Sequence, residues 1–484
     1  MPATNYKQMT IPMEDHKTTP TVAPFAPPGV MIFNCGLPAF QQTGEAYEAF
    51  REFNSQKKDK SGAKRKMLVF PCKVADNMGL QPVFCPICGA FLKKNGTTQI
   101  DVLHIPFGTS RTVLRADRQQ YQCTNPECRH KVSEEIPFKI DAHKVTQQLE
   151  NLIKDLLGMS TITLKDIATI TKTDKGIIKD IDKKRLLEQY TEQGEDGKRK
   201  MKPPTVYSPF IGIDEFLLHK GHQYATIIID LTTGHVLQVA RGKKKDVVYK
   251  FMDWVGKDWM KHVKAVACDM NTDYCEAFQE RYPDIKVVFD YFHIIKNFNE
   301  KVVSEVRKDE YRRLIAEGRV DEAKHLKGAK YILMSSRESL EAHDALMGQV
   351  IKPGSQLFDI PEVKVKKALT EIYDQLISEN KLFLTIDMIK EELKEAFTTT
   401  DADVMKKMIG HIIAVCYATG NSHFKWFGNM LKNHRSGILT HAESHLSSGK
   451  VEGTNRLIKT IRWQAYGFKD DEYFFLKIMD ASRR

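Results

Sequence analysis

Apolar and polar positions change their rhythm several times along this chain. Residues 210–241 read as three strands: "FIGIDEF", then "YATIIIDL", the turn "TTGH" and "VLQVARG". A helical stretch over 245–260 follows, then the strand "VKAVACD", a helix through 271–282 and the strand "IKVVFD". A hairpin followed by strand–helix–strand alternation predicts an α/β mixed sheet flanked by helices. Residues 294–440 carry helical periodicity with charged faces, as in "EVRKDEYRRLIAEGRVDEAKHL". Upstream, 71–143 breaks into short alternating stretches around four cysteines, with "KKNG" read as a turn, and 144–190 reads as helices. "EAYEAFREF" and the basic run after it suggest a small helical lead-in over 31–70. Residues 1–30, rich in Thr and Pro, read as a poorly ordered arm, and 191–209 as a linker. The expected boundaries are therefore 1–70, 71–143, 144–190, 191–209, 210–300, an all-α insertion over 301–440, and a last helical part over 441–484. No internal repeat is visible.

Composition narrows the class. With 484 residues, 42% hydrophobic and 28% charged, the chain fits a globular protein of several domains. No apolar run approaches the roughly 18 residues of a spanning helix, "HIIAVCYATG" being the nearest, so no membrane partner is expected. The N-terminus lacks a basic-then-apolar signal pattern, which makes the cytoplasm the expected compartment. A net charge of +11 and a pI near 9.0 point to an acidic partner, nucleic acid first, although a merely solvated basic surface would have the same totals.

Nine cysteines in such a chain argue for reduced thiols or metal, not disulfides. Cys85-Pro-Ile-Cys88 and Cys123-Thr-Asn-Pro-Glu-Cys128 are two close pairs on turn-forming residues, the spacing by which four thiolates surround one zinc ion. The strands between them, about 91–107 and 111–122, would form a zinc ribbon. Four thiolates leave no open coordination position, so this zinc would be structural. His130 and His143 read as surface residues; Cys35, Cys72, Cys268, Cys275 and Cys416 read as small core residues.

In "TLKDIATITKTDKGIIKDIDKKRL", Thr163 with Asp166 three positions on is a capping-box pattern. "TKTDKG" breaks that helix, and a second follows with Lys175, Lys179, Lys183, Lys184 and Arg185 around its apolar stripe. Two short helices with a basic second one fit a helix-turn-helix reading double-stranded DNA, though any helical hairpin can show the pattern.

Asp214 ends "FIGID" and Asp269 ends "VKAVACD". If those strands are neighbours, both acids emerge at one sheet edge, where their repulsion invites a divalent cation such as Mg²⁺. A third acid would complete a site for two ions. In "GKVEGTNRLIKTIRWQAYGF", Glu452 lies among Lys450, Arg456, Lys459 and Arg462. By spacing alone, Glu452 to Arg456 is an ordinary i,i+4 ion pair worth about 0.3–0.5 kcal/mol.

"FIGIDEFLLHKGHQYATIIIDLTTGHVL", "AVACDMNTDY", "VVFDYFHIIK" and "SSGKVEGTNRLIKTIRWQAYGF" together resemble the core blocks of the ISL3 family of bacterial insertion-sequence transposases, over roughly residues 71–480. The resemblance implies a ribonuclease-H-like core with a DDE triad, interrupted by a helical insertion and preceded by zinc-binding and DNA-binding regions. It makes Asp214, Asp269 and Glu452 the catalytic acids holding two Mg²⁺ (or Mn²⁺) ions. Asp290 and His293 in "DYFH" become supports of the active-site edge, and Lys450, Arg456, Lys459 and Arg462 hold the DNA backbone. It implies binding of the element's terminal inverted repeats, strand cleavage and transfer into target DNA, and at least a dimer in the synaptic complex. The rival expectation is a transposase-derived, inactive sequence-specific DNA-binding protein; a zinc hydrolase using Cys and His is a distant third.

Overall fold

The computed structural model describes residues 37–51, 65–75, 82–159, 162–270, 272–444, 446 and 449–484. The arm over 1–30 and Cys35 lie outside the described residues. The chain forms two compact units, Met1–Gln189 and Tyr190–Arg484.

The first unit is built on β1 (Phe40–Gln42), β2 (Tyr47–Arg51), β3 (Arg65–Val74), β4 (Leu92–Phe107), β5 (Ser110–Cys123) and β6 (Lys131–Ser133). Strands run β1-β3-β5-β4, with β2 also on β3 and β6 on β5; β3 and β5 are parallel and the other pairs antiparallel. The expected helical lead-in is a strand instead: Tyr47–Arg51 pairs with Arg65–Val69. Five residues of "YEAFR" fit either period, and pairing with the apolar β3 overrides the helix propensity of Glu and Ala. The expected boundary at residue 71 cuts through β3, because alternate residues of that strand feed two cores. Leu68, Phe70 and Cys72 join one buried cluster, Met67 and Val69 the other. "KKNG" is not a turn either. It lies within β4, where the register shifts between Lys94 and Thr97 and Gly96 takes φ +82°, a bulge; the hairpin turn comes later, at Gly108. Helices α1 (Gln147–Leu157), α2 (Leu164–Thr171) and α3 (Lys175–Tyr190) cover the second cluster through Leu149, Ile153, Ile167, Ile178 and Ile181.

In the second unit, 191–209 is structured, not a free linker. β7 (Thr191–Gln193) and β8 (Arg199–Met201) form a hairpin. Trp254 and Trp259 donate indole N–H groups to the carbonyls of Met201 (3.0 Å) and Val206 (3.1 Å). Gly194 and Gly197 serve the turn of the β7–β8 hairpin, while anchoring comes from aromatics far along the chain.

The main sheet comprises β9 (Phe210–His219), β10 (Gln223–Asp230), β11 (Val236–Arg241), β12 (Ala265–Cys268) and β13 (Lys286–Phe289), in the order β11-β10-β9-β12-β13. The first three are antiparallel neighbours; β12 runs parallel to both β9 and β13. Between and after them come α4 (Lys245–Met260, kinked at Gly256), α5 (Thr272–Arg281) and α6 (Tyr291–Phe298), which runs through a π-helical turn into α7 (Ser304–Ala316). Then follow α8 (Val320–Gly328), α9 (Lys330–Met334), α10 (Arg337–Asp344), the short strands β14 (Val350–Lys352) and β15 (Val363–Lys364), α11 (Leu369–Glu379), α12 (Lys381–Thr398), α13 (Ala402–Ala418), α14 (Ser422–Asn433), α15 (Arg435–Ser444), α16 (Gly449–Gln464) and α17 (Asp471–Ala481). One buried cluster runs from Ile211, Ile213 and Val266 through Phe298 to Ile386, Ile409 and Phe424, so the helices after β13 extend the core of the sheet. Among the described residues no helix is long and apolar enough to cross a membrane.

Candidate active site and zinc centre

Asp214 lies within β9 and Asp269 directly follows β12. The two strands are parallel, with Ile213 opposite Cys268, so the acids occupy the next register position, on adjacent strands about 4.8 Å apart. Each oxygen set is already aimed. Asp214 accepts the backbone N–H of Glu215 (2.8 Å) and the Asn455 amide (2.6 Å). Asp269 accepts the N–H of Met270 (2.6 Å) and lies 3.4 Å from His293 Nδ1. Burial pushes the Asp214 carboxyl upward, and the charge of Asp269 adds to that; the Glu215 N–H, His293 and Asn455 act against it. Burial also depresses His434, which packs edge-on against Phe289, and the charge of Asp269 opposes that shift. Asp290 is buried at the N-terminus of α6, whose first turn carries His293. Asp230 is a turn cap: it binds Ser208, Thr232 and Thr233.

Helix α16 seats on β9 residue by residue. A Cβ on Gly212 would lie 2.6 Å from Val451 Cγ2, so the absent side chain is what lets the helix approach. Two residues on, Asp214 meets Asn455; three further, the Leu217 carbonyl accepts Arg462 Nη1 at 2.7 Å. The spacings agree. From Gly212 to Asp214 the strand rises about 6.6 Å and from Val451 to Asn455 the helix rises about 6 Å, so the two run side by side in one sense.

Glu452 is one residue beyond Val451, on the flank of this seam. Its carboxylate pairs with Arg456 at 2.6 Å and is 42% exposed. Among the described residues, the four cysteines are the only three or more Cys, His, Asp or Glu ligands that lie within 4.8 Å of one another; Asp214, Asp269 and Glu452 are not gathered to that distance. The residue of α16 that does touch the acid pair is Asn455, which the sequence reading passed over. Its signal was present in "EGTN": one helical turn after Glu452 and four residues after the buried Val451.

The basic residues divide. Lys459 is exposed, Arg456 is held by Glu452, and Lys450 reaches the Thr232 carbonyl. Arg462 does not fit a DNA-backbone role. Its guanidinium is bonded to Leu217 and lies 5.2–5.8 Å from the rings of Phe474 and Phe216, so it packs α16 against the sheet. In the first unit the capping box is made: Asp166 N–H donates to Thr163 Oγ1 (3.2 Å) and Thr163 N–H to the Asp166 carboxylate (3.0 Å). Three residues separate α2 from α3, with Lys172 in the left-handed region. Of the basic positions on α3, Lys175 and Lys184 are exposed and Lys179 and Lys183 half-buried. Arg185 is committed to the fully buried Asp182 at 2.9 Å, which removes it from a DNA-reading set.

At the end of the β4–β5 hairpin away from Gly108, the four thiols converge. Cys88 and Cys123 Sγ are 3.4 Å apart, Cys85 and Cys128 3.8 Å. A tetrahedral Zn²⁺ with 2.3 Å bonds requires about 3.8 Å between sulfurs, so the set fits zinc closely. Gly89 (φ +71°) and Arg129 (φ +47°) make the turns that bring each pair round. The thiols do not ionise alike. Burial raises Cys85, but the N–H groups of Cys88 and Ile87 together with the Cys88 and Cys128 thiols bring it down to about 7. Burial pushes Cys123 up to about 12, its thiol neighbours adding and the Asn125 N–H opposing. A dication is what allows all four to be thiolates together.

The second unit thus holds two acids on adjacent parallel strands with a distant helix seated on the first of those strands, and the first unit holds a four-cysteine ribbon. Comparison with known families gives the class of the chain. A model described as a transposase, of the ISL3 type, matches residues 211–478, and one described as the zinc-finger of transposase IS204/IS1001/IS1096/IS1165 matches residues 81–128. The first covers more than half of the chain, and the protein belongs to the ISL3 family of transposases. The chain is 27% identical over 402 residues to the transposase for insertion sequence element IS1001 of Bordetella parapertussis, covering 82% of this chain and 88% of that protein. It is 24% identical over 282 residues to the transposase for IS1557 of Mycobacterium tuberculosis, covering 54% and 57%.

Proposed function

We propose that the protein binds the terminal inverted repeats of its insertion sequence and catalyses Mg²⁺-dependent strand cleavage and strand transfer on a ribonuclease-H-like core. The observation that carries this is the register-adjacent pair Asp214 and Asp269 beneath the helix that bears Glu452. The donor set fits the ion: hard carboxylate oxygens on adjacent strands, one of them on an acid whose carboxyl burial pushes upward. Bound there, Mg²⁺ supplies the charge that neutralises the attacked phosphate and activates an oxygen nucleophile. Asp214 and Asp269 hold that ion's position, with His293 beside Asp269 fixing the orientation of the second acid. Glu452 reaches inward by leaving Arg456. An exposed i,i+4 pair is worth only about 0.3–0.5 kcal/mol, too little to hold the carboxylate away from a dication, and the released Arg456 is free to take a DNA phosphate. Lys459 lies further along the same helix and adds a backbone contact. In the first unit, Lys175, Lys179, Lys183 and Lys184 on the second helix of a helix-turn-helix read the ends, and the zinc ribbon stiffens the hairpin beside it. Two element ends imply at least two copies in the active complex.

The turned-away Glu452 favours one rival, a DNA-binding protein with an inactive core. Full-length protein incubated with end DNA and Mg²⁺ separates the two: a binder shifts the DNA without nicking it. Glu452→Gln should abolish nicking and leave the shift intact; equal nicking by that variant removes Glu452 from the site.

A further inference from the structure

We infer that Asn455 is a ligand of the divalent cation, its amide oxygen joining Asp214 and Asp269 at the sheet edge. The inference rests on the proposed reading of that acid pair. Two observations support it independently. Asn455 Nδ2 donates to Asp214 Oδ2 at 2.6 Å, which brings the amide into the site. Its Oδ1 is buried and has no hydrogen-bond partner among the described residues. A carboxylate only accepts, so the amide nitrogen must face Asp214 and the oxygen is the atom left over. A buried acceptor without a donor is costly and calls for an explanation, and a cation beside Asp214 supplies one.

The backbone prepares the residue for this role. Val451, four positions earlier, is wedged on Gly212, and Thr454 and Ile458 are buried on either side of Asn455, so its Cα cannot drift from Asp214. Amide carbonyls are ordinary ligands of hard divalent ions. A neutral one has a particular use here: it adds coordination without adding negative charge against an incoming phosphate. Glu452, one turn earlier, can then bind or release as DNA arrives while the ion keeps three ligands.

Mn²⁺ binding to the zinc-loaded, full-length protein, followed by loss of the free-ion EPR signal, tests this without any cleavage assay. Asn455→Ala should weaken Mn²⁺ binding by about tenfold or more, the range seen when metal-site partners are removed. Asn455→Asp keeps the oxygen and loses the N–H, and should bind Mn²⁺ at least as tightly as the native chain. Native-like affinity in Asn455→Ala overturns the inference. So does equal weakening in both variants, which would make Asn455 only the donor that orients Asp214. Asn455→Ser serves if the alanine variant does not fold: it too should bind Mn²⁺ more weakly, and native-like affinity would overturn the inference. Asp214→Asn is the separate control. If Mn²⁺ binding survives that change, the acid-pair reading itself fails, and the inference with it.

Discussion

Gly212→Ala probes the seam on which the candidate site depends. The added methyl would stand 2.6 Å from Val451 Cγ2, 2.9 Å from Leu231 Cδ2 and 3.2 Å from Ile229 Cγ1. Carbon atoms rest at about 3.5–4.0 Å, so something must yield by about 1 Å. Leu231 can rotate away, but Val451 is β-branched within a helix and has essentially one rotamer. The helix is therefore what moves. Overpacking of this kind costs about 1–3 kcal/mol, or a fall in Tm of about 2–4 °C for each kcal/mol in a large unit. The functional effect should be larger than the stability effect suggests. Displacing α16 by about 1 Å carries Glu452 and Asn455 from Asp214, and misplacements of that size cost about 100-fold in rate. Mg²⁺-dependent nicking of end DNA, a gel shift on the same DNA, and thermal melting should thus separate: cleavage down about 100-fold, DNA binding unchanged, modest loss of Tm. Val451→Ala added to Gly212→Ala removes the clashing methyl and should restore much of both losses, a coupling that a double-mutant cycle measures. Unchanged cleavage and melting in Gly212→Ala would refute the seating of α16 on β9.

Three further outcomes are expected. Removing zinc with a chelator, or changing Cys88 to Ser, should reduce bound zinc from one ion per chain to none and lower the melting temperature of the first unit, with metal analysis and calorimetry as the checks. His104 is buried against Thr146, and burial depresses its pKa from 6.5 to about 4. The unfolded chain therefore binds the proton first: its contribution is complete above pH 6.5 and is lost as pH falls to 4, about 3 kcal/mol at most. His104→Gln should flatten that part of a pH–stability profile measured by denaturant unfolding, whatever zinc loss adds in both proteins. Finally, Lys459→Ala should reduce the salt dependence of DNA binding by about one unit of slope with Tm unchanged, while Arg462→Ala should lower Tm. The reverse pattern would return Arg462 to the DNA surface.

Much of the local structure was legible because it is decided locally. The two cysteine pairs carry their own turn residues, and their Sγ atoms lie at zinc distances. The capping box at Thr163 needs only residues 163–166. The strands of the main sheet announce themselves as apolar runs bounded by turns, since strands buried on both faces have few polar positions. What misled was context. "EAYEAFREF" has helical propensity but lies where β3 offers an edge, and 191–209 looks like a linker because the tryptophans that hold it are more than fifty residues away. Arg462 and Arg185 look like DNA contacts in a row of basic residues; only packing reveals that Phe216, Phe474, Leu217 and a buried Asp182 already occupy them.

The same division runs through the candidate site. The amino-acid order alone determines that two acids follow apolar runs and that a third sits on a basic helix, because periodicity and charge are properties of neighbours in the chain. That β9 continues past Asp214 to His219 is visible only in the structure. Which of those groups meet is a matter of register and approach. Only the fold sets Asp214 beside Asp269 and, through one missing methyl at Gly212, lowers α16 until Asn455 rather than Glu452 touches the pair. Contacts between residues some 240 positions apart depend on how two surfaces pack, and no pattern within either segment encodes that distance.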